Sequence, residues 1–181
     1  MELKKLHPDQ IVTLNSYPVH NEQILKIYFR IFQKGQSKII PPCPVVHKSI
    51  GTPWIKGTEN KVKKYNGLLT KFLKQHPKAE YFLLDGTHKT TAAALTRNRM
   101  PVMIFQSDKD IKEAKMLVEK GELFSLTTGN TIKESVEELK EHFFKTMIFQ
   151  TVAEKTEKMV KNKILPKYMI DVYVKNKKRT S

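Results

Sequence analysis

A chain of 181 residues that is 39% hydrophobic and 28% charged can bury one core and is too apolar to stay disordered. Its longest apolar runs are short stretches such as PVMIF, and the opening MELKKLHPDQ lacks the apolar centre of a secretory signal. Neither a membrane span nor export is expected, which leaves the cytoplasm as the expected location. The 33 Lys and Arg against 18 Asp and Glu give a formal net charge of +15, and such a chain seeks anions.

The segment DQIVTL, 9 to 14, reads as a short strand. A helix over 21 to 34 follows, with Asn21 as N-cap, with Ile24, Ile27, Tyr28, Ile31 and Phe32 at helical spacing, and with Gly35 placed to end it. Prolines in KIIPPCPVVH make an irregular extended segment that leads into a strand at 44 to 47. Cys43, the single cysteine, has no partner for a disulfide or a Cys-x-x-Cys metal site and reads as a buried, inert thiol. SIGTPWIKGTEN reads as loop. The next helix, 59 to 76, sets Val62, Tyr65, Leu68, Leu69, Phe72 and Leu73 on one face and stops at Pro77.

Its other face carries lysine. Lys56, Lys61, Lys63, Lys64, Lys71, Lys74 and Lys78 are accompanied over that stretch by one acid, Glu59. Such a stripe either binds DNA or RNA phosphates through counterion release or is a solvated helix face.

YFLLDGTHKTTAAAL, 81 to 95, gives a strand at 80 to 84, a turn at 85 to 89 and a small-residue helix at 90 to 96; MPVMIF, 100 to 105, is again a strand. Together they form a βαβ-like unit within a mixed sheet. Beyond Asp108 the pattern is helical. DIKEAKMLVEKG ends at Gly121, and a long helix opens on the capping box Thr131-x-x-Glu134 and runs past Phe143, Met147 and Val152. The tail ends in a basic run expected to fray.

The turn is the candidate site. Gly86 allows a sharp reversal after Asp85, and the first amides of the following helix face outward at the positive end of its dipole. Thr87 adds a hydroxyl, His88 a donor of adjustable charge and Lys89 a fixed cation, so residues 86 to 91, with Thr90 and Thr91, fit a phosphate or a chain of them. The alternative is an ordinary DGT turn whose alanines only pack.

LLDGTHKTTAAALTRNRMPVMIF resembles the Asp-Gly-His-His-Arg segment, alanine-rich helix and Pro-Val strand of the ParB N-terminal domain and sulfiredoxin superfamily. IFQKGQSKIIPPCPVVH matches its upstream order of a glycine-ended helix and a Pro-led strand. The resemblance covers about residues 9 to 108 and implies an α/β fold, a small mixed sheet with flanking helices. It divides the chain into a nucleotide-phosphate-binding domain, 1 to 108, with a lysine-rich helical insertion at about 56 to 78, and a helical C-terminal extension with a basic tail, 109 to 181.

The resemblance also bears on activity. Sulfiredoxins place a reactive cysteine where this chain has Thr87, so sulfinic acid reduction is not expected. ParB proteins bind CTP through a Gly-Glu-Arg-Arg version absent here, and they read DNA with a helix-turn-helix that has no evident counterpart after residue 110. The free serine kinases of the superfamily have a His-Glu-type pair at the start of the first helix, which His20 and Glu22 match loosely, with Asn21 between them. The resemblance thus implies a nucleotide, ATP or ADP first and CTP second, with a small hydroxyl-bearing acceptor and Mg2+. Glu22 would be the base, Asp85 a magnesium ligand or turn-holder, and Thr87, His88 and Lys89 would hold the phosphates. A glutamate in a first helical turn also offsets the dipole with no catalytic purpose. The rival from another class is a ParB-like DNA-binding or nuclease protein using the lysine face; a third reading makes the chain a protein-interaction module in which the turn is purely structural.

Overall fold

A computed structural model describes residues 1 to 15, 21 to 123, 126 and 128 to 178. Five strands, β1 (Glu2–Leu6), β2 (Ile11–Val12), β3 (Cys43–His47), β4 (Tyr81–Leu83) and β5 (Met100–Phe105), form one mixed sheet in the order β1-β5-β3-β4-β2. Parallel pairs β2–β4 and β3–β5 alternate with antiparallel pairs β1–β5 and β3–β4. A mixed α/β architecture is therefore present.

Eight helices accompany the sheet among the described residues: α1 (Glu22–Gln33), α2 (Lys48–Gly51), α3 (Asn60–Gln75), α4 (Thr87–Leu95), α5 (Asp108–Glu119), α6 (Ile132–Thr146), α7 (Val152–Lys161) and α8 (Lys167–Lys178). The two-residue period of a strand distributes them between two layers. Ile11, Val45, Tyr81, Leu83, Val102 and Ile104 point to one face, where they meet residues of α1, α4, α7 and α8. Their neighbours Val12, Val46 and Phe82 point to the other, against α3 and α6, and Met103 and Phe105 meet α5 on that side. The helices beyond residue 108 thus line both faces of the sheet.

Several elements differ from the sequence reading. β1 pairs along its whole length with β5, Glu2 opposite Ile104 through Leu6 opposite Met100. Its sequence, ELKKL, gave no strand signal because Leu3 and Lys5 face outward and only Leu6 is buried. β4 and β5 do not form a parallel crossover pair: β3 lies between them, antiparallel to one and parallel to the other. Residues 49 to 51, the start of the segment read as loop, belong to the short helix α2.

The expected long helix from Thr131 is two. Met147 takes a left-handed conformation, φ 53, and its amide donates to Phe143 O, closing α6. The chain then bridges Val12 at Thr151, the cap whose side chain opens α7. The tail reads as helix α8 through Lys178, with Met169 buried, so it does not fray before that point. No helix among the described residues is long and apolar enough to cross a membrane.

α1 is present with the expected cap but rotated. Leu25, Phe29 and Phe32 are buried, whereas Ile24 and Ile27 are 38% and 57% exposed. Both sets satisfy helical spacing, so the periodicity left the phase open and the sheet chose it.

Candidate functional site

β4 ends at Leu83, and Asp85 and Gly86 turn the chain into α4, which starts at Thr87, three residues before the expected Thr90. The turn is self-braced. The Gly86 amide donates to Asp85 Oδ1 at 2.6 Å, and Gly86, at φ 106, caps the helix in a backbone region open chiefly to glycine. A Cβ at this position would stand 2.2 Å from Cys43 Sγ, and the Cys43 thiol donates to Gly86 O at 3.8 Å. Cys43 is fully buried, which pushes its thiol up to about 12; Lys89 offsets part of that rise and Asp85 adds to it. It is a protonated packing residue.

The predicted phosphate-binding residues separate into two groups. Gly86, Thr87, His88 and Lys89 are half-buried, and the amides of the last three belong to the first helical turn, where no carbonyl four residues back lies inside the helix. Thr90 and Thr91 are 1% exposed and face the interior. The Thr90 hydroxyl donates back to Gly86 O and Thr87 O, and its amide to Gly86 O, so this residue closes the helix start instead of facing outward. The Lys89 ammonium donates to Pro41 O at 3.2 Å, which holds the cation against the segment leading into β3.

The tertiary fold brings the start of α1 to this turn. The Asn21 amide donates to His88 Nε2 at 3.3 Å, placing the N-termini of α1 and α4 side by side. Asn21 Oδ1 accepts from the Ile24 amide as the cap of α1, and Glu22, the next residue, is exposed. Glu22 lies on the flank of α1 toward α8, where its charge acts on the Tyr168 phenol, a group raised chiefly by burial. His20 lies outside the described residues.

Tyr28, six residues on, lies about 120° around α1 from Glu22. Burial raises its phenol, and Cys43 and Asp85 add to the rise, so this hydroxyl sits within electrostatic reach of the turn. Sequence reasoning saw Tyr28 only as an apolar position, and no spacing links it to Asp85. A second polar cluster was likewise invisible. At the end of β2, the strand beside β4, the Asn15 amide donates to His142 Nε2 at 2.9 Å and the Lys155 ammonium donates to Leu14 O at 3.0 Å. Lys155 is 2% exposed, and burial lowers its ammonium to about 8.

No group of three or more His, Cys, Asp or Glu side chains suited to a metal occurs among the described residues. Asp85, the proposed metal ligand, supplies one hard carboxylate, with Oδ1 already accepting from Gly86. One carboxylate is a common protein share for Mg2+ that is otherwise held by substrate phosphates and water.

The lysine face is fully exposed: Lys56, Lys61, Lys63, Lys64, Lys71, Lys74 and Lys78 all lie in solvent. At 100° per residue, Lys63, Lys64, Lys71 and Lys74 lie opposite the buried Val62, Tyr65, Leu69 and Phe72, and so form a convex ridge along α3. Lys61 leans aside, its ammonium 4.4 Å from the centre of the Phe144 ring.

Compared with known proteins, the chain matches no family profile, no curated protein and no solved structure.

Proposed function

We propose that the chain is a nucleotide-binding protein of the ParB/sulfiredoxin kind that transfers or hydrolyses a phosphoryl group at the Asp85–Lys89 turn. The observation that carries this reading is the hydrogen bond from the Asn21 amide to His88 Nε2, which sets two helix N-termini against one another. Two positive dipole ends beside the Lys89 ammonium make a place for several phosphate charges. The amides of Thr87, His88 and Lys89 hold the phosphates and His88 orients them. Glu22, at the exposed rim, accepts the proton of an acceptor hydroxyl or of water as it attacks. Magnesium, when bound with the phosphates, would neutralise their charge beside Asp85. ATP or ADP is the first candidate ligand and CTP the second.

A thermal-shift series with ATP, ADP, CTP and GTP, each with and without Mg2+, tests this. One nucleotide at a hundred times its dissociation constant adds about 2.7 kcal/mol, which for a chain of this size raises the melting temperature by about 5 to 10 °C. No shift with any of them would remove the reading.

A second reading has its own support: none of the seven exposed lysines from Lys56 to Lys78 makes an ion pair among the described residues, and the neighbouring pair Lys48–Glu80 involves none of them. In this reading the ridge on α3 contacts a nucleic-acid backbone. Binding of a duplex should then weaken steeply with salt, and alanine at Lys61, Lys63 and Lys64 together should lower the slope of log K against log salt by about 2 to 3. Binding that ignores salt would dismiss it.

A further inference from the structure

A cleft of about 490 Å³ opens at the far end of α4, away from the turn. α4 has nine residues, so its two ends are about 13 Å apart. Four segments meet around the cleft: the end of α4, the 3-10 turn Pro8–Gln10, α7 and α8. Two of its lining residues are small, Ala94 on α4 and Ala153 on α7, and leave space that larger side chains would fill.

The polar lining is arranged unevenly. On one wall Lys177 pairs with Glu157 at 2.6 Å, which balances that carboxylate. Tyr173 stands beside them. Burial raises its phenol and Glu157 adds to the rise, while Lys177 and Arg97 oppose it, so the hydroxyl stays a protonated donor at neutral pH and both cations lie within its reach. Arg97 is exposed at the mouth in a left-handed conformation, φ 57, the residue just past the last turn of α4. Its amide donates to Ala94 O and the next, that of Asn98, to Ala93 O, which closes the helix and fixes where the Arg97 side chain departs. Of the lining residues before β2, His7 accepts at Nε2 from Arg99 Nε, and Asp9 lies in the first turn of the 3-10 segment.

We propose that this cleft binds a small organic anion, a flat apolar body bearing one carboxylate or phosphoryl group. The body lies over Ala94 and Ala153 against the Tyr173 ring. The anionic group meets the Arg97 guanidinium, whose planar donors suit two oxygens at once, with the Tyr173 hydroxyl as a further donor. Asp9 faces the other end and accepts from a hydroxyl or amino group there. The volume lies within the range of small-molecule sites. Nothing in this site depends on the turn at Asp85–Lys89, so each can stand without the other.

The probes are phenyl phosphate, benzoate and inorganic phosphate, followed by amide chemical shifts of the full chain. Phenyl phosphate or benzoate is expected to move the amides of Ala94, Arg97, Ala153 and Tyr173 saturably below about 10 mM, with inorganic phosphate, which lacks the body, at least tenfold weaker. Whichever aromatic anion binds more tightly identifies the anionic group. Arg97→Gly keeps the left-handed backbone that glycine favours and removes the guanidinium; it is expected to weaken binding at least tenfold while leaving the rest of the spectrum in place. Shifts confined to Thr87–Thr90, equal affinity for inorganic phosphate, or unchanged affinity in Arg97→Gly would each overturn the proposal. So would the absence of saturable shifts with all three probes.

Discussion

Gly86→Ala is expected to lose about 3 kcal/mol of stability, seen as a lowered denaturant midpoint with an unchanged slope. Two costs combine. A non-glycine residue held in the left-handed region costs about 1–2 kcal/mol, and forcing a methyl group into a packed site costs about 1–3 kcal/mol more. The new Cβ would stand 2.2 Å from the Cys43 sulfur, and that sulfur is fully buried at the start of β3, where it cannot retreat. The double substitution with Cys43→Ala separates the terms. Removing Sγ relieves the collision and leaves the backbone cost, so the pair should be less destabilised than the sum of the single changes by about 1 kcal/mol or more. A loss below about 1 kcal/mol for Gly86→Ala alone would mean that the turn gives way easily and does not hold the start of α4 as described. Because the turn is also the proposed phosphate cradle, the same substitution should weaken nucleotide binding.

The other large effect concerns chemistry rather than folding. Glu22→Gln is expected to leave nucleotide affinity nearly unchanged while lowering turnover by about a hundredfold or more, the scale usual for a general base. Lys89→Ala should act in the opposite way and weaken binding itself. Position explains the difference. Glu22 stands exposed at the start of α1, where in the proposed reaction it would meet a group whose charge changes only on the way to the transition state, while Lys89 would face phosphates that are charged throughout. Tyr28→Phe belongs in the same series, because Asp85 adds to the rise of the Tyr28 phenol, which puts this α1 hydroxyl within electrostatic reach of the turn. Wild-type turnover in Glu22→Gln would show that the glutamate only offsets the helix dipole, and a loss confined to Tyr28→Phe would assign the α1 contribution to a protonated phenol that donates a hydrogen bond at the turn.

Much of the local structure was legible because it is written in neighbouring residues. Asn21 as the cap of α1, the lysine-bearing outer face of α3, the strands at Cys43–His47 and Met100–Phe105, and Thr131 as the cap of α6 all follow from side chains within a few positions of one another, although the expected box there is incomplete because the Glu134 carboxylate accepts from the Asn130 amide. Burial of Cys43 followed from its proline-flanked apolar setting. Gly86 was legible as a glycine that the turn requires, although the Cys43 sulfur that excludes any side chain there lies 43 residues away.

What the sequence determined by itself was element type, the charge of each exposed face and the chemical content of one turn, because these depend on contacts over a few residues. The tertiary structure decided which faces meet. It turned α1 so that Phe29 is buried and Ile27 exposed, inserted β3 between β4 and β5, broke the helix after Thr146 so that Thr151 could bridge Val12, and brought Asn21 to His88. Each of these choices was open locally, since two apolar stripes on one helix or two strand orders satisfy the same periodicity. Only the apolar area buried when all the layers close together distinguishes them, and that term is a property of the whole sheet and its helices.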